Sequence, residues 1–434
     1  MQPILGPMRP AIYITLFDIQ MPRIEAYGAI RSGPVRIAVA PVLVIFAAMA
    51  ALLPLVSLAQ QITPDNLEQR VAAIFERSCS LTGCHAGPVA QQDMYLTSSR
   101  YYESLVDQPS VERPDLKRVD PGSPETSYLM MKVKGDPGII GLPMPMAGNR
   151  LTEEEVKLLE DWIRGLKSGQ ASTLETSDDP AYPFDGWKAI NLPTTRTVDQ
   201  GRWLFLISHR FNPKLSSGYD AFYGLDGSGI IYLSLGYAIT DDFLVSLARS
   251  NAADNVELWS RYRFGQQGVG GWPLGLAVQG AANWVTEEPT VADRTSADAF
   301  KLTVQVPATM EITNGLGLGI IPGVVLNPVE SVEGEDALIT VGLATQWNFH
   351  QNLSLVAEWA PIVSGYTRTT TFGNDIRFDS WGAGLQIATG GHVFQIVVSN
   401  SVGLTGDQYL RGGDLDIRDG DMRLGFNIFR VIKF

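Results

Sequence analysis

Cys79-Ser80-Leu81-Thr82-Gly83-Cys84-His85 holds the only two cysteines of this 434-residue chain, with a histidine directly after the second. A thiol pair closed by Cys-His is the residue set for covalent haem: two sulfurs form thioethers and the imidazole becomes the proximal iron ligand. The usual attachment sequence has two residues between the cysteines, whereas this one has four; the longer loop still lets both sulfurs reach the two vinyl-derived carbons. Two plainer chemistries use the same residues. A Cys79–Cys84 disulfide suits an exported chain with an even cysteine count. A metal site would have three ligands here and no fourth nearby in sequence.

Such a site needs elements to hold it. Thr63-Pro64 reads as an N-cap and first-position proline, opening a helix that carries Leu67, Val71, Ile74 and Phe75 on one stripe and runs into Cys79. A polar, irregular middle with Tyr95, Tyr101, Tyr102 and Leu105 follows. The chain then passes through Asp120-Pro121-Gly122-Ser123-Pro124 to Lys132 and the loop Gly141-Leu142-Pro143-Met144-Pro145-Met146-Ala147-Gly148. Thr152-Glu153-Glu154-Glu155 is a capping box, and the helix it opens buries Val156, Leu159, Trp162, Ile163 and Leu166. A methionine thioether from the preceding loop, set opposite an imidazole, completes six-coordinate low-spin iron and raises its potential. The plainer role for such a methionine is core packing.

Residues 64–168 resemble the single-haem class I cytochrome c domains, whose ends read P-G-x-P-x-x-S-x-L, then M-P-x-x-G, then L-T/S-x-E-E and a W-I helix. The matching residues are Pro121-Gly122-Ser123-Pro124-Glu125-Thr126-Ser127-Tyr128-Leu129, Met144-Pro145-Met146-Ala147-Gly148, Leu151-Thr152, Glu154-Glu155 and Trp162-Ile163. The resemblance implies a small all-α domain at 60–168 with one covalently attached haem c. Carried over by position, Cys79 and Cys84 are the thioether sites and His85 the proximal iron ligand. Met144, which directly precedes the proline, is the distal ligand, with Met146 in reserve. The implied role is electron transfer with periplasmic redox partner proteins, since a methionine on the iron leaves no open site for substrate.

The remaining sequence sets the location. Arg31 and Arg36 precede the apolar run Ile37–Ala59, which exits through Ser57-Leu58-Ala59, the small-x-small pattern of a cleaved export leader. The run is also long enough for a retained membrane helix, an alternative weakened by Pro41 and Pro54 inside it. Residues 1–59 are therefore expected to be a leader with an over-long extension, translation starting near Met21. Forty-six acidic against 33 basic residues give a net charge of −13, which argues against nucleic acid as a partner. Residues 169–200, with dispersed Ser, Thr, Asp and Pro, read as a linker that tethers the first domain.

From Gly201 to Phe434 the apolar period changes from 3.6 to 2. About twelve segments of ~10 residues alternate in this way, the length and even number of an outer-membrane barrel. The multidomain fold expected is thus a small all-α domain followed by an antiparallel β-barrel at 201–434, in contact with outer-membrane lipid. Leu424, Phe426, Ile428, Ile432 and Phe434 alternate with Arg423, Gly425, Asn427 and Lys433, and Arg430 falls on the apolar face, at the membrane edge. Val256, Leu258, Tyr262 and Phe264 alternate with Glu257, Arg261 and Arg263, which places the charges in the lumen. A soluble β-sandwich is the competing fold, but charges or prolines that would protect its edges do not recur. This half is also similar to a bacterial β-barrel family of uncharacterised function, through Ser208-His209-Arg210-Phe211, Phe222–Gly229 and Leu235–Asp241.

Three functions follow. The first is a haem-c electron carrier tethered to the outer membrane, relaying electrons or sensing redox state. The second is a porin-like or binding barrel whose haem domain is regulatory or structural. The third is an enzyme, as in twelve-stranded phospholipases with an H-x-S motif. His209 is followed by Arg210-Phe211, and neither His350 nor His392 has a serine at that spacing, so catalysis is not expected.

Overall fold

The computed structural model describes residues 67–80, 84–86, 90–97, 100–146, 150–169, 181–287, 293–313, 315–328, 337–350, 352–365, 378–389 and 392–432. The leader, Thr63-Pro64, Ala147-Gly148 and terminal Lys433-Phe434 lie outside these residues.

The first part is helical. α1 (Leu67–Ser78) buries Val71, Ala72, Ile74 and Phe75, the face its apolar stripe predicts. α2 (Tyr101–Leu105) and α3 (Tyr128–Lys134) fall where the sequence suggests irregular chain. Too short to show a helical period, they are set by tertiary packing. Gly135, at φ 75°, ends α3 with the left-handed residue a helix C-terminus favours. α4 (Glu153–Gly165) has the capping box expected: Thr152 accepts from the Glu155 N–H and Glu155 accepts from the Thr152 N–H. An Arg77–Glu155 ion pair ties α1 to α4. Inside, the rings of Phe75, Tyr101 and Trp162 meet at centroid distances of 5.1, 5.8 and 6.1 Å around Leu105, Leu159 and Ile163.

The second part is a closed antiparallel sheet of 14 strands. They are β1 (Trp203–Phe211), β2 (Gly229–Thr240), β3 (Phe243–Ser250), β4 (Asn255–Gly265), β5 (Gly275–Val285), β6 (Phe300–Gln305), β7 (Ala308–Thr313), β8 (Leu316–Leu326), β9 (Ala337–His350), β10 (Leu353–Ala360), β11 (Ile362–Ser364), β12 (Ser380–Thr389), β13 (His392–Ser399) and β14 (Arg423–Ile432). β6 with β7, and β10 with β11, are each one traverse interrupted at Pro307 and Pro361, since proline has no N–H for the ladder. The wall therefore has twelve traverses, as the sequence predicts. β14 closes on β1 from Trp203↔Ile432 to Arg210↔Gly425.

The two rims differ. At the rim where β1 begins and β14 ends, strand pairs are joined through residues 241–242, 266–274, 314–315, 351–352 and 390–391. At the far rim the connections include 212–228, 286–299 and 400–422. The outward face is apolar: Ile231, Leu233, Leu235, Tyr237 and Ile239 of β2 are exposed, while Ile230, Tyr232, Ser234 and Ala238 point in and are buried. Aromatic pairs sit toward both rims, Trp203–Tyr237 and Trp347–Phe349 at the first and Trp284–Phe300 at the far one. Arg430 is exposed on the outward face near the first rim, paired in register with His392 at the start of β13. No helix among the described residues is long and apolar enough to cross a membrane; the strands supply the crossing. Leu235, mid-strand and 44% exposed, is the sensitive test of that face. Leu235→Arg is expected to cost about 2–4 kcal/mol of folding stability in lipid, read by urea titration of the bilayer-folded protein.

Residues 181–200 correct the linker expectation. They form a hairpin inside the barrel. Thr194 N donates to Trp187 O at 3.2 Å and Ala189 N to Leu192 O at 2.8 Å, with its tip at Ile190-Asn191. Both legs stay at the first rim, where Ala181 N donates to Gln267 O at 2.9 Å and Gln200 N to Asp241 Oδ1 at 2.7 Å. Phe184, Trp187, Ile190 and Leu192 are buried against the inner wall, so the segment is core rather than spacer.

Candidate functional site

The helical part encloses one cavity of about 320 Å³, and Cys79, Cys84, His85, Met144 and Met146 all line it. Each reaches it by a local rule. The Cys79 and Ser80 N–H groups both bond Phe75 O at 2.8 Å, closing α1 so that Cys79 leaves its end. Cys84 and His85 follow, and Leu96 N donates to His85 O at 2.8 Å. Met144 N donates to Lys132 O at 2.8 Å, which pins the proline loop to α3. Met144 is half-buried and Met146 exposed.

The imidazole is preset. His85 Nδ1 lies 3.2 Å from both Gln91 O and Met94 O. A carbonyl can only accept, so Nδ1 carries the proton and Nε2 keeps its lone pair. Burial pushes the His85 pKa down, which keeps the ring neutral and able to bind iron. Cys79 and Cys84 are free thiols, not a disulfide. Burial pushes Cys79 up to about 12 and Cys84 up to about 11, so neither is a reactive thiolate near neutrality. Among the described residues no three His, Cys, Asp or Glu side chains gather as a metal site. Two thiols, an imidazole with a free Nε2, two thioethers and a largely apolar wall including Phe75, Leu105 and Leu159 fit a haem attached through both sulfurs.

The sequence does not reveal what steadies the methionine side. Glu112 Oε2 accepts from Lys132 Nζ at 2.9 Å and from Tyr128 OH at 2.7 Å, and Lys132 Nζ also reaches Ile140 O at 2.7 Å. This buried pair anchors the 136–146 loop over the cavity. Only the acid–base–aromatic composition of 112, 128 and 132 could have hinted at it. The barrel adds Asn352 and Thr389 to the cavity wall; Gln91 Nε2 donates to Asn352 Oδ1 at 3.3 Å, and Arg202 Nη2 donates to Arg77 O at 3.1 Å.

The barrel lumen is polar and filled. Glu257 and Arg261 point inward and are buried, as the alternation of β4 predicts. Tyr232 OH donates to Glu257 at 2.6 Å, and Arg261 Nη1 donates to Arg196 O of the hairpin at 2.7 Å. From the far rim, the 400–422 connection folds in with a short helix, α5 (Gly406–Tyr409), and buries Leu404, Tyr409 and Leu410. Lys188 Nζ of the hairpin reaches Leu404 O at 3.5 Å, so the two insertions meet. His209 faces outward, stacked on Phe426 at 5.2 Å, while its neighbours Ser208 and Arg210 face the lumen.

A family model described as a membrane bound beta barrel domain (DUF5777) matches residues 184–432. The match begins inside the hairpin, ahead of β1, so the hairpin is part of that domain. Among solved structures, a KdgM porin in complex with disordered oligogalacturonate is similar at 8% identity, covering 52% of this chain and 98% of the porin, with a TM-score of 0.33. An outer membrane channel from Pseudomonas putida F1 is similar at 12% identity, covering 55% of this chain and 98% of the channel, with a TM-score of 0.33. The Acinetobacter baumannii outer membrane protein Omp33 is similar at 11% identity, covering 54% of this chain and all of its own, with a TM-score of 0.29. No curated protein matches.

Proposed function

Because the chain belongs to the DUF5777 family of membrane-bound β-barrels, we propose that it works in the outer membrane as a porin-like barrel whose N-terminal domain binds one haem c and regulates it. The carrying observation is the lumen: a polar wall occupied by a hairpin that is hydrogen-bonded to it by side chains rather than built into the sheet. Lipid is the partner of the outward face. Short connections at the rim that holds both strand termini favour the periplasmic side for that rim and for the helical domain. Cys79 and Cys84 would hold the haem covalently, and His85 and Met144 would bind its iron, with Met146 as the reserve. Bound haem supplies one-electron exchange. The chain itself fixes the imidazole tautomer, screens the cavity from water and carries the sulfur loop on Lys132 and Glu112. The test is single-channel recording in planar bilayers, comparing the full chain with one lacking residues 182–197. Discrete steps in the shortened chain and rare ones in the full chain are expected; silence in both rules the pore out, provided the shortened chain still shows heat-modifiable gel mobility.

The convergence of Cys79, Cys84, His85 and Met144 on one cavity favours a second reading, an electron relay or redox sensor that meets periplasmic redox partner proteins. One haem does not span a membrane, so a transmembrane conduit would need further haem subunits. Visible spectra before and after acid-acetone extraction test this reading; haem lost to extraction removes it.

A further inference from the structure

We infer that the 181–200 hairpin is a displaceable plug and that Glu358 is its latch. The function of the plug rests on the porin-like reading; the geometry of the latch does not.

At the hairpin tip three consecutive backbone N–H groups converge on one carboxylate. Ile190 N lies 3.0 Å from Glu358 Oε2, Asn191 N 2.9 Å from both oxygens, and Leu192 N 2.9 Å from Oε2. Asn191 Nδ2 adds a bond of 3.0 Å to Oε1. Successive N–H groups around an anion form a nest, and hydrogen bonds to an ionised acceptor are about twice as strong as neutral ones. Glu358 is 4% exposed on β10, deep in the wall, and the tip supplies hydrogen bonds that a buried carboxyl group needs. Arg210 Nη2 and Asn427 Nδ2 grip the same tip, through Asn191 Oδ1 at 3.1 Å and Ile190 O at 3.0 Å.

Two features make this part of the core displaceable. Both legs enter and leave through the same rim, so the hairpin can withdraw without crossing the barrel. The bonds at its tip run to wall side chains, Glu358, Arg210 and Asn427, rather than into a strand ladder, and water can replace them. The wall also leaves room for it by omission. A Cβ added at Gly317 would lie 1.9 Å from Pro183 O of the entering leg.

Glu358→Ala and, independently, Gly317→Ala are made in the full chain folded in detergent, with Glu358→Asp as the conservative control. Hydrogen exchange followed by mass spectrometry reads residues 184–197 against the strands. Exchange at the tip is expected to accelerate at least tenfold in Glu358→Ala, partly recover in Glu358→Asp and accelerate in Gly317→Ala, while the strands keep their protection. Tip exchange unchanged in Glu358→Ala overturns the latch. Planar-bilayer recording of the same variants separates the two ideas: faster exchange with more frequent openings supports both. Faster exchange with no conductance in any variant keeps the latch and sinks the pore.

Discussion

Full-length protein matured with haem and carrying His85→Ala is expected to lose its low-spin spectrum and most of its haem retention, whereas Met146→Ala keeps both. The reason lies in the two carbonyls that hold Nδ1 at 3.2 Å and leave Nε2 as the ring's basic nitrogen. Removing an outer partner of a metal ligand costs roughly 10–100-fold in affinity, and removing the ligand itself costs more. Met144→Ala should retain covalent haem and lose the sulfur-to-iron absorbance, because Cys79 and Cys84 still hold the porphyrin. Oxidised and reduced visible spectra of the three variants settle the assignment. A His85→Ala protein with an unchanged reduced α band would remove His85 as the proximal ligand.

The second large effect is structural. Trp162 is 4% exposed, packed on Phe75, Tyr101 and Tyr102 with ring centroids 5.8–6.4 Å away. Among the described residues its indole N–H has no hydrogen-bond partner, so its contribution there is packing. Trp162→Ala is expected to destabilise the helical part by about 3–5 kcal/mol. Loss of helix ellipticity in urea, followed while the barrel stays folded in micelles, should show the lower midpoint. An unmoved midpoint would mean that α1 and α4 are not held by this cluster.

How much of this could be read from the residues differs by element. Strands of the wall were legible because each has one face in lipid and one in a polar lumen, a period of 2 that Ile231, Leu233 and Leu235 display plainly. Pro307 and Pro361 were visible too, but their effect, splitting two traverses, needed the ladder. α4 announced itself through Thr152 and Glu155. The hairpin did not. Its Thr, Asp and Pro content is that of a linker, and its apolar residues follow neither a period of 2 nor of 3.6. The group that holds it, Glu358, lies 168 residues beyond Ile190 in sequence. The cavity-lining residues Cys79, Cys84, His85 and Met144 were legible as types and order; Glu112, which steadies the 136–146 loop, was not, since only folding brings it to Lys132.

A segment that enters and leaves by one mouth also bears on assembly. β1 can zip to β14 before or after the hairpin is seated, and no free end has to be threaded through the closed wall. Wall and filling are thus separable steps in biogenesis. An insertion machine that delivers an empty cylinder to the bilayer would leave the last step, seating Ile190 and Asn191 under Glu358, to the chain itself.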